Sequence, residues 1–351
     1  MNSIRRLLAG LLLLAAPLAS TALAAQDALA GKVVASDGGS VAGVWVVARG
    51  AAFLDSAAVD DSGSWTIPLP ERAWRDAVEL SVREPDPAAA RYHAASARLA
   101  RRDLEGEHGF VLVPRAWTIP TGAFAGMVVE ISPRLAFAPV CAGCSAFLKR
   151  TDGAGGGVRT WPAGHFPLRV VFDREFSPVR ISARDSVSFW SAAEELERDF
   201  GADLLRPARF AESLPMGDST PSDLIYVQID PTLRVAGLGV AGAYGDDIVY
   251  GEVRVRTSSL LTGPDGPDIV AHELMHALGL GHTCSWRSVM AVEARCPGMR
   301  SPRPTPEDVA YAQLVQRVNA LQRAHGARWG MEAALIAEEA ATPSYAAAGG
   351  S

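Results

Sequence analysis

Two patterns of apolar and polar residues divide the chain into an N-terminal part rich in short strands and a C-terminal part that mixes strands with helices. In the N-terminal part, short β-rich runs are separated by Gly, Asp, Ser and Pro turns, which is typical of a β-sandwich. Strands are predicted over residues 31–36, 41–50, 60–69, 77–84 and 109–114. We therefore expect an all-β sandwich over residues 30–114.

From about residue 161 the pattern becomes mixed α/β. Strands are predicted over residues 166–173, 223–230, 237–244 and 248–257, and helices over residues 182–201, from Asp268 and from Thr305. In the helix over residues 182–201, Val187, Trp190 and Ala193 predict the apolar stripe. Thr305 is placed to cap the last helix, and Asp308 lies at the capping-box distance. The expected fold class is α+β, with the second domain over residues 161–325.

The segments between and after these domains have a different composition. Residues 115–160 are expected to be a connector, and its glycine-rich stretch, residues 150–157, is expected to be mobile. Residues 326–351 are rich in Ala, Gly and Ser, which predicts a flexible tail. We find no internal repeat in the chain.

The first 25 residues have the features of an export signal. Arg5 and Arg6 precede an apolar run over residues 7–19, and small residues follow at positions 22–24. The run is shorter than the roughly 20 residues that span a bilayer, although an uncleaved anchor is the alternative. We expect a secreted or periplasmic protein with no stable membrane insertion after the signal is cleaved.

Composition and charge narrow the class of protein further. Hydrophobic residues make up 48% and charged residues 21% of the chain, as in ordinary globular proteins. The net charge of −6 argues against a nucleic-acid binder, which needs a basic face to meet phosphates. We expect a monomer whose partners do not include nucleic acids.

The stretch HELMHALGLGH, residues 272–282, carries the candidate chemistry. His272 and His276 are four residues apart, which places both imidazoles on one face of a helix. Gly279 can adopt the left-handed conformation that ends a helix, so that His282 returns as a third ligand. Three neutral nitrogens leave a fourth position for water, which is typical of a catalytic zinc site. Glu273 is placed to act as a general base on that water.

An ordinary amphipathic helix with incidental histidines is the alternative interpretation of this stretch. Two further interpretations include a metal site. One is a non-catalytic binding or adhesion protein built on a protease fold, and the other is a zinc hydrolase of a non-peptide bond. The presence of every ligand together with Glu273 favours a working enzyme. Asp246 and Asp247 could contact Ca²⁺, although a solvated turn is the alternative for that pair.

The sequence HELMHALGLGH resembles the long zinc signature of the metzincin metalloendopeptidases, His-Glu-x-x-His-x-x-Gly-x-x-His. The resemblance implies that His272, His276 and His282 hold zinc and that Glu273 is the general base and acid. It also implies a methionine turn, which SWRSVMA supplies at Met290. The match is most similar to the matrixin branch and covers residues 161–325.

This resemblance implies a secreted endopeptidase that acts on protein or peptide substrates. Its domain would have a twisted mixed sheet, an active-site helix and a C-terminal helix. In this family an edge strand lines the cleft, and residues 237–244 are the candidate, with a plain sheet strand as the alternative. Matrixins usually carry proline shortly after the methionine, whereas Val292 stands here, which leaves the pocket wall at residues 292–299 unassigned. The N-terminal domain resembles the carboxypeptidase regulatory-like, prealbumin-type sandwich.

The four cysteines, Cys141, Cys144, Cys284 and Cys296, allow three pairings. Cys284 and Cys296 flank Met290, and a bridge between them would tie the methionine turn to the third ligand. For Cys141 and Cys144 a local disulfide is expected in an oxidising compartment. The alternative is a thiolate that occupies the open zinc position, as in matrixin latency.

Overall fold

The protein has a mixed α+β fold with several sheets and few helices, as the sequence predicts. The computed structural model describes residues 28–70, 77–101, 104–137, 139, 144–148, 158–172, 177–208, 223–245 and 247–325. The expected export signal, the glycine-rich stretch over residues 150–157 and the tail over residues 326–351 lie outside these residues. Within the described ranges, no helix combines the length and the apolar character needed to cross a membrane.

The N-terminal part is a two-sheet sandwich around its own core. Its strands are β1 (Ala28–Ala35), β2 (Trp45–Gly50), β3 (Phe53–Ala58), β4 (Ser64–Pro68), β5 (Val78–Arg83), β6 (Ala95–Leu99) and β7 (Glu107–Leu112). One sheet has the order β4-β1-β7 and the other the order β3-β2-β5-β6. Alternate residues of β4 and β5, such as Trp65, Ile67 and Leu80, are buried between the sheets, which is the usual pattern of a sandwich.

The sequence pattern missed β3 and β6, and each has a physical reason. β3 is an edge strand with almost no buried side chain, so it has no apolar alternation to detect. β6 does alternate, but its buried positions include Ala95 and Ala97, and alanine has a low preference for strands. Both strands are held by hydrogen bonds to neighbouring strands.

The connector contains packed secondary structure. β8 (Ala116–Thr118) pairs with β9 (Val128–Glu130), and α1 (Pro133–Phe137) follows. Trp117, Val129 and Phe137 belong to the core of the C-terminal part. Val111 and Val113, at the end of the sandwich, join the same core. The apolar interior therefore continues across the expected boundary at residue 114.

The C-terminal part is built on a five-stranded sheet with the order β11-β10-β12-β14-β13. Its strands are β10 (Leu168–Phe172), β11 (Leu205–Pro207), β12 (Leu224–Ile229), β13 (Gly237–Tyr244) and β14 (Asp247–Val255). All neighbours are parallel except β13, which is antiparallel to β14 and lies at the edge. The helices are α2 (Ala183–Phe200), α3 (Ser258–Thr262), α4 (Gly266–Ala277) and α5 (Pro306–His325). α4 packs on β13 and β14, with α2 beside it.

Helix α2 begins and ends where the sequence predicts, but it buries a different stripe. Ser182 and Asp185 form a reciprocal capping box at its start. The predicted stripe is wrong at Val187, which is 69% exposed. The buried face instead runs through Phe189, Ala192, Ala193, Leu196 and Phe200, a set that also has helical spacing.

At the start of α5 only half of the predicted capping box is present. The carboxylate of Asp308 accepts a hydrogen bond from the Thr305 N–H at 3.0 Å, which is one half of a capping box. Among the described residues the hydroxyl of Thr305 has no hydrogen-bond partner, so the other half is missing. The carboxylate of Asp308 also accepts hydrogen bonds from Trp286, Ser288 and Val289.

We expect Arg303→Ala to destabilise the protein by about 2 kcal/mol, less than the roughly 3–5 kcal/mol of a fully buried ion pair because the arginine is half exposed. Arg303 Nη2 donates to both carboxylate oxygens of Asp199, at 2.9 and 3.1 Å, and Asp199 is buried near the end of α2. Without the guanidinium, a buried carboxylate loses its counter-ion. Urea unfolding measures the effect. Adding Asp199→Asn to Arg303→Ala should recover part of the loss, and no recovery would contradict this explanation.

Candidate metal centre

Helix α4 and the turn after it bring three imidazoles together. The ligand atoms of His272, His276 and His282 lie within 4.8 Å of one another, and His272 and His276 are buried. His276 Nε2 and His282 Nε2 are 3.1 Å apart. Among the described residues, this is the only group of three or more candidate ligand side chains that could hold one metal ion. The three histidines therefore converge, as the sequence predicts.

The backbone fixes the tautomers of two of the histidines. His272 Nδ1 lies 2.8 Å from the carbonyl oxygen of Val289, and His276 Nδ1 lies 2.8 Å from that of Leu280. A carbonyl can only accept, so each Nδ1 carries the proton and each Nε2 keeps its lone pair for a metal. Burial lowers the pKa of His272 to about 4, which favours the neutral ring that a metal needs.

The donor set fits a zinc ion. Two nitrogen ligands of a tetrahedral zinc at 2.0–2.1 Å are about 3.3 Å apart, close to the observed separation of His276 Nε2 and His282 Nε2. Imidazole is a preferred zinc ligand, and a three-histidine set is one of the usual catalytic donor sets. The chemistry of the donors would also accept other divalent transition metals.

Gly279 allows the chain to turn back toward the histidines. Its φ of 103° lies in the region that side chains rarely adopt, and its N–H donates to the His276 carbonyl at 2.9 Å. An added Cβ would also lie 2.5 Å from Ile248 Cδ1. The returning segment pairs with the connector, because Gly281 and His282 donate to the carbonyls of Phe147 and Ser145. The connector therefore holds the backbone of the third histidine by hydrogen bonds. The sequence did not predict this contact.

Glu273 belongs to α4, and its side chain faces the edge strand β13. Its side chain is buried, and burial raises the pKa of Glu273 to about 7, while a hydrogen bond from the Gly239 N–H and the charge of Arg300 act in the opposite direction. The backbone of β13 comes so close that a Cβ at Gly237 would be 2.5 Å from Glu273 Oε1. The glycines of this strand thus make room for Glu273.

The segment that contains Met290 contacts the histidines through the carbonyl of Val289, which accepts from His272 Nδ1. The Met290 side chain is fully buried, and its N–H donates to Ser288 Oγ at 2.8 Å. Asp308 of α5 holds this segment by accepting hydrogen bonds from Trp286 Nε1, Ser288 Oγ and the Val289 N–H, at 2.9, 2.6 and 3.2 Å. The carbonyl of Val289 in turn orients His272. Asp308, predicted only as a cap, therefore also fixes a histidine of the site.

Each cysteine that the structure describes is part of a disulfide. Cys284 and Cys296 form a disulfide that closes the loop around Met290. Cys144 is also disulfide-bonded, so it carries no thiolate for a metal. Cys141 lies outside the described residues. The latency alternative thus has no support from Cys144.

Of the two residues suggested as calcium contacts, Asp247 is the one that the structure describes. Asp247 forms an ion pair with Arg323 of α5, which satisfies its charge with a cation of the chain. Asp246 lies outside the described residues. Arg300 follows residues 292–299 directly, and its Nη1 lies 3.1 Å from His272 Nδ1.

We expect Gly239→Ala to weaken metal binding at the three histidines by about 10–100-fold, which is typical when a group that supports a ligand is disturbed. A Cβ at this position would lie 2.2 Å from the Glu273 carbonyl oxygen and 2.5 Å from His276 Cβ, so the strand or the helix must move. Val240→Ala, at the next position with its side chain on the opposite face, is the matched control. Titration of a divalent metal into each variant checks the prediction, and equal metal affinities in the two variants would contradict it.

Comparisons with known proteins give no relative: no family model matches the chain, and neither a curated protein nor a solved structure is significantly similar to it. Interpretation of the site therefore depends on its own residues and geometry.

Proposed function

We propose that the chain is a zinc-dependent endopeptidase of metzincin type, closest to the matrixin branch. One observation carries the proposal: three imidazoles present their ligand atoms within 4.8 Å of one another beside the buried carboxylate of Glu273, against the exposed edge of a sheet. A metal site with three protein ligands leaves a position open for chemistry. The signature His-Glu-x-x-His-x-x-Gly-x-x-His supports the same assignment.

His272, His276 and His282 would hold the ion. When bound, zinc supplies a Lewis acid that polarises a carbonyl and lowers the pKa of water. Glu273 takes a proton from the attacking water, whose oxygen forms a bond to the carbonyl carbon of the substrate. The carbon–nitrogen bond then breaks, and Glu273 passes the proton to the leaving amine. The products are a carboxylate and an amine, so one water is consumed for each bond cleaved.

The edge strand β13 is the surface on which we place the substrate. An edge strand offers unpaired N–H and C=O groups that an extended peptide can meet. β13 passes directly beside Glu273, since a Cβ at Gly237 would touch its carboxylate. A peptide paired with β13 would therefore run past the general base, which is the arrangement that endopeptidase chemistry needs.

We also propose that the protein works outside the cytoplasm. Arg5, Arg6 and the apolar run over residues 7–19 have the pattern of an export signal. The Cys284–Cys296 disulfide and the disulfide of Cys144 are chemistry of an oxidising compartment.

Digestion of casein and of a peptide library by the purified, zinc-loaded protein tests the proposal. Mass spectrometry of the products should reveal new peptide termini, and a chelator should abolish their formation. A protein that retains zinc and cleaves no peptide would instead be the binding protein or the hydrolase of a non-peptide bond named above. Cleavage that persists at full rate in chelator would contradict the proposal.

A further inference from the structure

Arg300 is a cation beside the metal centre that the proposed chemistry does not use. It lies on the segment between Met290 and α5, and its side chain is half-buried. Its Nη1 is 3.1 Å from His272 Nδ1 and 3.3 Å from the carbonyl oxygen of Ala291. Its positive charge acts on His272, on Glu273 and on Asp268, one turn earlier in α4.

The short distance to His272 is a close approach of two donors. His272 Nδ1 carries a proton that it donates to Val289, so it has no lone pair left for a guanidinium. If Arg300 donated to Nδ1 instead, Nε2 would carry the proton and could not bind a metal. In the tautomer that binds metal, the Ala291 carbonyl is therefore the one acceptor of Arg300 among the described residues.

No carboxylate of the described residues lies within ion-pair distance of Arg300. Burial raises the pKa of Asp268 and the charge of Arg300 acts to lower it, but the two side chains do not form an ion pair. An unpaired cation beside a histidine that binds a metal cation is electrostatically unfavourable, because like charges repel most strongly where water is partly excluded. An anion that binds to the guanidinium would offset this cost.

The backbone at Arg300 is held in place by its neighbours. Its segment forms a β-bridge with Ser288, and the N–H groups of Ser288 and Ser301 donate to the carbonyls of Met299 and Ser288, each at 2.9 Å. Ser288 itself is fixed by Asp308, and the Cys284–Cys296 disulfide closes the same loop. A preorganised guanidinium with unused donors is a typical carboxylate-binding group.

We propose that Arg300 selects substrates with a carboxylate close to the scissile bond. An extended peptide advances about 3.3–3.6 Å per residue, so a carboxylate that reaches the far side of the His272 ring belongs to a residue near the reacting carbonyl. The carboxylate is either an Asp or Glu side chain or the free C-terminus of the peptide. This inference rests on the proposed peptidase function and adds a substrate class to it.

Matched peptides test the selection. Each pair is identical except for Glu or Gln at the positions that flank the cleaved bond, and each peptide is made as the free acid and as the C-terminal amide. We expect kcat/KM to be about 10- to 100-fold higher for the peptide with the carboxylate, the usual effect of one charge-assisted hydrogen bond. A higher kcat/KM for the Glu peptide than for the Gln peptide identifies a side chain. A higher kcat/KM for the free acid than for its amide, which form the second kind of matched pair, identifies the C-terminus.

Variants at Arg300 show whether this residue causes the preference. The ratio within each pair should fall to about one in Arg300→Gln and should favour a Lys peptide over the Gln peptide in Arg300→Glu. Arg295→Gln, an exposed arginine on the same loop, should keep the wild-type ratio. Because each ratio is measured within one protein, partial loss of zinc or stability does not affect it. A wild-type ratio near one, or an unchanged ratio in Arg300→Gln, would overturn the inference.

Binding to a non-cleaving protein separates this inference from the proposed function. Isothermal titration of the same pairs into Glu273→Ala should show about tenfold tighter binding of the carboxylate peptide, and the added Arg300→Gln change should remove that difference. Wild-type protein that cleaves nothing but shows this binding difference would refute the peptidase proposal and support the role of Arg300. Cleavage without any preference for a carboxylate would refute only the role of Arg300.

Discussion

Glu273→Ala should keep the metal and lose peptide cleavage by about 10²–10⁴-fold, the usual contribution of a general base. Glu273 is not one of the three clustered ligand side chains, so its loss leaves the imidazoles and their hydrogen-bonded backbone unchanged. Its carboxylate is buried beside the edge strand, where no other carboxylate of the described site replaces it. The prediction is checked by zinc content from atomic emission and by initial rates on a cleaved peptide.

The control for this variant is Glu293→Ala, an exposed glutamate on the loop after Met290. It should bind zinc and cleave peptide at the wild-type rate. Loss of zinc in Glu273→Ala, or cleavage at a rate near wild type, would show that Glu273 has a different role.

Asp308→Ala should destabilise the protein by about 3–5 kcal/mol, as expected when several buried donors lose a charged acceptor. The side chain is fully buried and accepts from Trp286 Nε1, Ser288 Oγ and the N–H groups of Val289 and Thr305. Burial raises the pKa of Asp308, and these hydrogen bonds act in the opposite direction. Urea unfolding of the metal-free protein measures the cost.

The same variant should weaken zinc binding by about 10–100-fold, which is typical when a group that orients a ligand is removed. Asp308 fixes the Val289 backbone, and the Val289 carbonyl accepts the Nδ1 proton of His272. Glu307→Ala, at the neighbouring position of α5, is the matched control and should change neither quantity strongly. Zinc affinity equal to that of wild type in folded Asp308→Ala would contradict this link.

The histidines could be predicted from sequence because their geometry is local. The spacing of His272 and His276 is fixed by the helix, and Gly279 marks where the chain leaves it. The helix start at Ser182 and the strand over residues 237–244 were predictable for the same reason, since capping and alternation are local signals.

The partners of the site could not be predicted, because they come from distant parts of the chain. Gly239 meets Glu273, and Asp308 holds the segment that orients His272. The small residues of β13 did give a signal of close backbone approach. A Cβ at Gly237 or Gly239 would meet Glu273 or His276 of the same chain, so this close approach is between β13 and α4.

The buried stripe of α2 shows a second limit of sequence patterns. Apolar residues occur at Val187, Phe189, Trp190 and Leu196, so more than one stripe has helical spacing. Packing against α4 and the sheet selects the stripe through Phe189 and Leu196 and leaves Val187 in solvent. Only the tertiary neighbours decide between stripes that the sequence permits equally.

The most direct measurement is a titration of zinc into metal-free protein while the cleavage of one peptide is followed. We expect cleavage to rise in proportion to added zinc and to reach a plateau at about one equivalent per chain, as a single three-histidine site requires. In His276→Ala the rise should be absent at the same zinc concentrations. Cleavage that does not depend on zinc, or that rises equally in His276→Ala, would contradict a zinc peptidase centred on His272, His276 and His282.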